Sequence, residues 1–253
     1  MSNNLVDQAP YHPGYEGAVF NDVTKPLSVA IRERMTREGK RFFANDNISE
    51  FLDDDTRDEL VREVTVKFQE VLKSLLIDVD NDPNSHGTAK RLAKMYVHEI
   101  MSGRYYPSPD SAAFPNDDLQ TRYTGMLVVR AELKSMCSHH HQPVRGIAYI
   151  GIIPSTKVIG LSKYARIAQW HARRGTLQEE LCNQIASSIM KATESEDVAV
   201  YIAARHGCME NRGVCAHSSL TQTTVLHGQF HDSSVKKEFF DNIALQQSYN
   251  EKL

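Results

Sequence analysis

Long apolar runs are missing from this sequence: nothing in its 253 residues approaches the ~18 consecutive apolar residues of a membrane-spanning helix. The opening Met1-Ser2-Asn3-Asn4 is polar and lacks the basic-then-apolar order of a secretory signal. These two absences give the expectation of a cytoplasmic protein with no membrane partner. An excess of positive charge is missing too. With a formal net charge of -3 and a pI near 6.4, the chain lacks the basic surface of a general nucleic-acid binder, although 29 lysines and arginines leave room for a local anion site. Cysteine is scarce, at four residues: Cys137, Cys182, Cys208 and Cys215. Without a secretion signal, so few thiols read as metal ligands or free cysteines, not as a disulfide framework. Apolar residues are not in short supply. At 41% they suffice to fill one large core and exclude an intrinsically disordered chain.

What is present centres on Cys137-Ser138-His139-His140-His141 and, about seventy residues later, His206-Gly207-Cys208. A thiol with an imidazole three positions away, joined by a second thiol with its own nearby imidazole, is a ligand set suited to zinc. Three protein ligands would leave a fourth position for a water whose pKa a zinc ion lowers to about 7, which is a catalytic arrangement and not a structural one. The alternative for the first cluster is a polar loop beside a small buried thiol. The second cluster repeats the same chemistry at the end of a strand and favours the metal.

Three regions follow from the patterning. Residues 1–52 carry scattered proline and glycine and no sustained period, so they read as an arm that is irregular or partly ordered. Residues 53–120 form a helical segment. Asp53-Asp54-Asp55-Thr56 opens a helix with Leu60, Val64, Phe68, Val71, Leu72 and Leu75 at helical spacing. Thr88 opens a second helix, with Leu92, Met95, Tyr96 and Ile100 on one face, that ends at Gly103. Residues 121–250 read as the catalytic domain. Strands are expected over 122–133, where Leu127, Val129 and Ala131 alternate with Val128 and Arg130, and over 147–153, 198–204 and 219–230. Helices are expected from Ser162 to the Gly175 break, from Gln178 through Leu181, Ile185 and Ile189, and over 235–247, with Cys182 a core residue. If the period of two persists past Ala204, His206 and Cys208 share a face. Paired strands separated by helices give an α+β class with an antiparallel sheet and flanking helices, and its open edges invite oligomerisation.

Five ordered motifs carry a resemblance. Thr88-x-x-Arg91-x-Ala93-Lys94-Met95-Tyr96, Cys137-x-His139-His140, Gly160-Leu161-Ser162-Lys163-x-x-Arg166, Gln178-Glu179 and His206-x-Cys208-Met209-x-x-Arg212-Gly213 together resemble GTP cyclohydrolase I. The resemblance runs unbroken over residues 57–245. It implies a tunnelling fold whose sheets join between subunits into a barrel, a homodecamer with sites at subunit contacts, and GTP as substrate. It further implies zinc held by Cys137, His140 and Cys208, with His139 and His206 free for proton transfer. Gln178 and Glu179 would bind the substrate, with Glu179 gripping the guanine, and Arg91, Ser162, Lys163, Arg166 and Arg212 would surround ribose and triphosphate. The implied reaction opens the imidazole ring of GTP, releases formate, rearranges the ribose and closes 7,8-dihydroneopterin triphosphate, a step of pterin and tetrahydrofolate biosynthesis.

Two departures stand out. Ser138 sits where the family commonly carries Glu, and Val214-Cys215-Ala216-His217-Ser218-Ser219 replaces a more polar stretch. These keep open a tunnelling-fold zinc enzyme acting on another purine or pterin. A zinc-stabilised oligomeric scaffold without catalysis is a further alternative, though it has no use for Glu179 or for Lys163, Arg166 and Arg212. A nucleobase deaminase is disfavoured by the absence of His-x-Glu with a later Pro-Cys-x-x-Cys. Cys215, His141, His171 and His217 are read as non-ligands.

Overall fold

The computed structural model describes residues 25–250. Residues 1–24, nearly half of the expected irregular arm, lie outside the described residues. The remainder of that arm is more regular than its composition suggested. Leu27–Arg37 form helix α1 and Ser49–Phe51 a 3₁₀ turn. Their Met35, Ile48, Phe51 and Leu52 bury together in a small cluster.

Helix α2 spans Asp54–Ser74, and the side chain of Asp53 caps it by accepting the Thr56 amide at 2.8 Å. Its buried stripe is Leu60, Val61 and Leu72. Val71 and Leu75, expected on that stripe, are more than half exposed, as is Leu76 beyond the helix end. The expected single helix from Thr88 to Gly103 is divided. Helix α3, Thr88–Lys94, passes into a π-helical stretch, Met95–Ile100, and then into the short α4, Ser102–Tyr105. Ala89, Ala93, Val97 and Met101 are the buried positions here, whereas Tyr96 and its expected stripe partners are half-buried. This helical segment lands on residues 121–250 at Gly103. A Cβ there would lie 1.8 Å from the Trp170 carbonyl oxygen, so only glycine allows the approach.

Strand β1 (Ala113–Pro115) falls within the segment expected to be helical. Strands β2 (Leu127–Cys137) and β3 (Pro143–Ile152) form an antiparallel hairpin, and β4 (Lys157–Ile159) pairs back with β1. Then follow α5 (Leu161–Ala172), a two-residue β5 (Gly175–Thr176), α6 (Gln178–Thr193), β6 (Val198–His206), α7 (Gly207–Glu210), β7 (Thr221–Leu226) and α8 (Ser233–Asn250). The main sheet has the order β5-β2-β3-β6-β7, antiparallel except where β5 joins β2. The class is therefore α+β, as expected, with a fifth, parallel strand that two residues could not advertise in the sequence. The expected strand over 122–133 begins and ends later, and the one over 219–230 closes at Leu226.

The sheet is covered on both faces. Ala131, Leu133, Ala148, Ile150, Ile152, Val200 and Ile202 pack against Tyr164, Ile167 and Ala168 of α5 and against Leu181, Cys182, Ile185 and Ile189 of α6. The expected core position of Cys182 holds, since it is fully buried. On the other face Tyr149 and Tyr201 meet Phe230, Phe239 and Ile243. Alternation along each strand thus supplies two apolar faces at once, which is what a three-layer sandwich requires.

Under α5 and α6, His171 is 6% exposed and its Nε2 pairs with Ser188 Oγ at 2.7 Å. Burial, with Arg174 adding repulsion, pushes its pKa from 6.5 down to about 3. The folded chain thus keeps this ring neutral where the unfolded chain takes up a proton, so folding stability falls as pH drops from about 6.5 toward about 3. The native protein should lose about 1.4 kcal/mol per pH unit there relative to His171→Gln. Urea midpoints of both proteins at pH 7, 6 and 5 check this, and parallel pH dependences would refute it.

Candidate functional site

The site lies at one end of the sheet, and strand register builds it. Met136 pairs with Pro143, and Val144 pairs with His206, so the end of β2, the start of β3 and the end of β6 meet side by side. Between β2 and β3 the chain reverses through residues 138–142. The turn is closed by the Cys137 amide donating to the Gln142 carbonyl and the His141 amide donating to the Cys137 carbonyl, both at 2.9 Å. His141 takes a positive φ of 49° there. Its Nδ1 lies 3.3 Å from the hydroxyl of Tyr96, which ties the turn to the π-helical stretch. π-Helical turns inside helices occur preferentially at functional sites.

The expected period of two does not carry β6 through Cys208. The strand ends at His206, and Gly207–Glu210 turn into the single helical turn α7. Gly207 is tightly placed, since a Cβ would lie 2.9 Å from the Pro143 carbonyl oxygen. The helical turn, and not strand alternation, aims Cys208 at Cys137. Ligand atoms of Cys137, His140 and Cys208 all lie within 4.8 Å of one another, a group that could hold a metal ion. Burial and the neighbouring Cys137 thiol raise the pKa of Cys208, with Arg212 opposing. The neighbouring thiol disfavours ionising Cys208 while no cation is near, and a cation would reverse that balance. A sulfur, sulfur, nitrogen donor set with one exposed member, His140, suits a borderline-soft ion with an open coordination position. Cys215 is exposed and outside the group.

His206 stands beside this group, not within it. Burial lowers its pKa, while Glu179 and Glu210 act the other way. Its Nε2 lies 2.7 Å from Oε1 of Gln178. The short β5 makes this possible: Cys137 pairs with Thr176, which sets the first residues of α6, Gln178 and Glu179, against the turn that follows β2. Gln178, expected to contact substrate, is buried, and its carboxamide meets protein partners, His206 among them. Glu179 is exposed beside it. His139 is exposed, its ring edge-on to His140 with centroids 6.3 Å apart.

A profile of GTP cyclohydrolase I matches residues 66–244, which include every residue named above in the site. The chain belongs to the GTP cyclohydrolase I family. Among family relatives, GTP cyclohydrolase 1 of Flavobacterium johnsoniae is 36% identical over 198 residues, covering 78% of this chain and 87% of its own length. The Buchnera aphidicola protein of the same name is 38% identical over 189 residues, 73% of this chain and 83% of the relative. That of Campylobacter jejuni subsp. doylei is 35% identical over 181 residues, 70% and 94% respectively.

The other residues of the family motifs sit on different elements. Ser162 and Arg166 are exposed on the first turns of α5. Lys163 reaches the other way, its Nζ donating to the Asp110 carbonyl at 2.6 Å. Arg91 Nη2 donates to Thr88 Oγ1 at 3.0 Å on its own helix. Arg212 is exposed just beyond α7. The base of that loop is held by Arg205, whose Nε donates to Glu210 at 2.5 Å and whose Nη2 donates to the His217 carbonyl. The roles of Arg205, of Tyr96 and of Gln178 toward His206 were not readable beforehand. Each depends on contacts across 5 to 45 positions with no local pattern.

Proposed function

We propose that this chain, a hydrolase of the GTP cyclohydrolase I family, opens the imidazole ring of GTP with a zinc ion held by Cys137, His140 and Cys208. It releases formate, and after ribose rearrangement closes 7,8-dihydroneopterin triphosphate. The observation that carries the reading is the convergence of the Cys-His-Cys group with His206 and Glu179 at one sheet end, inside the family match. When bound, zinc supplies the Lewis acidity that makes water nucleophilic near neutral pH.

The chain's own residues do the rest. Glu179, an acceptor when ionised, takes hydrogen bonds from the guanine ring N–H and amino group and sets which base enters. His206 exchanges a proton with the purine nitrogen as the C8–N bond yields. His139, exposed beside His140, serves a later proton transfer as the ribose opens and recloses. Ser162, Lys163, Arg166, Arg212 and Arg91 bind ribose and triphosphate. For Lys163, this means giving up the Asp110 carbonyl for a phosphate oxygen. Sheets joined between subunits in a tunnelling fold, as a homodecamer, would cover the open β2 and β7 edges and the exposed Val71, Leu75 and Leu76. Among the described residues no helix is long and apolar enough to cross a membrane.

The test is incubation of zinc-loaded protein with GTP, measuring formate and, after oxidation, pterin fluorescence. Absence of both would refute the reading. Guanosine should be a poor substrate. Arg166→Ala and Arg212→Ala should each raise KM for GTP by about 10–100-fold with little change in thermal stability, since an exposed guanidinium contributes charge-assisted bonds to phosphate and little to folding. Equal turnover of guanosine and GTP would remove the phosphate role from both arginines.

A further inference from the structure

Gln178 is 5% exposed, and its side chain bridges three elements. Its Nε2 faces the carbonyl oxygens of Ile202 at 3.3 Å and Thr221 at 3.1 Å, together with Thr223 Oγ1 at 3.2 Å. Carbonyl oxygens can only accept, so the amide nitrogen must point toward β6 and β7. A flipped carboxamide would press its oxygen against two others in a buried place. The sheet therefore fixes which end of Gln178 meets His206. The end that meets it is Oε1, at 2.7 Å from Nε2.

That contact constrains the imidazole. An oxygen acceptor at 2.7 Å requires a proton on Nε2, and a neutral imidazole then carries its lone pair on Nδ1. The space beneath the pair is lined mostly by apolar side chains, Leu133, Val144, Leu181 and Ile202 among them, with Ser135 and Thr176 as its other polar residues, and the acceptor bonded to His206 is the Gln178 oxygen. We propose that Gln178 is a positioning residue that holds His206 as the Nε2–H tautomer, with Nδ1 the atom that exchanges a proton with substrate. The proposal rests on the role given to His206 above. Nδ1 first takes a proton from solvent to give the imidazolium; the Nδ1–H bond then breaks as the purine N–H bond forms, and Nε2–H is untouched throughout. Giving that proton to the substrate restores the neutral Nε2–H ring, so no ring flip or tautomer change is needed between turnovers.

The direct test is ¹⁵N NMR of the histidine rings in full-length, zinc-loaded protein, with His206→Gln to assign the resonances. Native protein should show a protonated Nε2 and a lone-pair Nδ1 for His206, and the opposite tautomer would overturn the proposal without any variant having to fold. In Gln178→Met, which keeps length and removes the acceptor, the two tautomers should mix. Zinc content should be retained, and kcat for GTP should fall by about 10–100-fold, the size of effect typical of a lost orienting partner, while KM changes less than about threefold. Unchanged kcat with an intact fold would also overturn it. A native protein with the expected tautomer but no formate release would instead refute the proposed reaction and leave the tautomer lock standing.

Discussion

Cys208→Ala should yield a folded protein with less than about 0.1 zinc per chain and no measurable formate release, because two remaining ligands do not retain a catalytic zinc. The fold should survive. Cys208 sits on the short helical turn α7 at the sheet end, partly exposed, and the main core lies between the sheet and α5 and α6. Cys215→Ala is the matched control: its thiol is exposed, outside the Cys-His-Cys group, and its loss should leave metal and activity near native values. Metal analysis of both variants beside their GTP turnover decides the assignment, and the reverse pattern would move the ligand to Cys215.

His206→Ala should separate metal from chemistry. With its ring braced by Gln178 and outside the group of three ligands, His206 is placed to serve the substrate and not the ion. The variant should keep about one zinc per chain while formate release falls by about 10²–10⁴-fold, the usual worth of a positioned acid or base. A metal-free variant would make His206 a ligand. A fully active one would leave it without a catalytic part.

What could be read beforehand was what repeats locally. The stripe Leu181, Ile185 and Ile189 and the alternation of Leu127, Val129 and Ala131 each placed a face correctly, because burial on one side of a regular element leaves a period in the sequence. The Cys-His-Cys group was legible for a different reason: few side chains share the chemistry of the two cysteines and their neighbouring histidines, and the family resemblance picked out His140 among them. Features made by approach between distant segments left no such trace. β5 has two residues and no period to show. Val71 and Leu75 fit an apolar stripe but face outward, since the period reports amphipathicity and not what covers it. Strand alternation was extended through Gly207 because nothing local announces that the Pro143 carbonyl lies against it. Gln178 was paired with its neighbour Glu179 in the sequence, yet adjacent residues at a helix start point in different directions, and one is buried where the other is exposed.

The π-helical stretch Met95–Ile100 makes this part of the chain sensitive to length more than to composition. Removing a single residue there would let the backbone relax into ordinary α-helical register and turn everything downstream by about 100°. Gly103 would then rotate away from the Trp170 carbonyl, and a residue bearing a side chain would be driven into a gap that admits none. Tyr96, upstream of the change, would still find His141, while the far end of the segment lost its seat. A one-residue deletion here should therefore be worse tolerated than most substitutions at the same positions, which marks residues 95–103 as a spacer whose count of residues is itself under constraint.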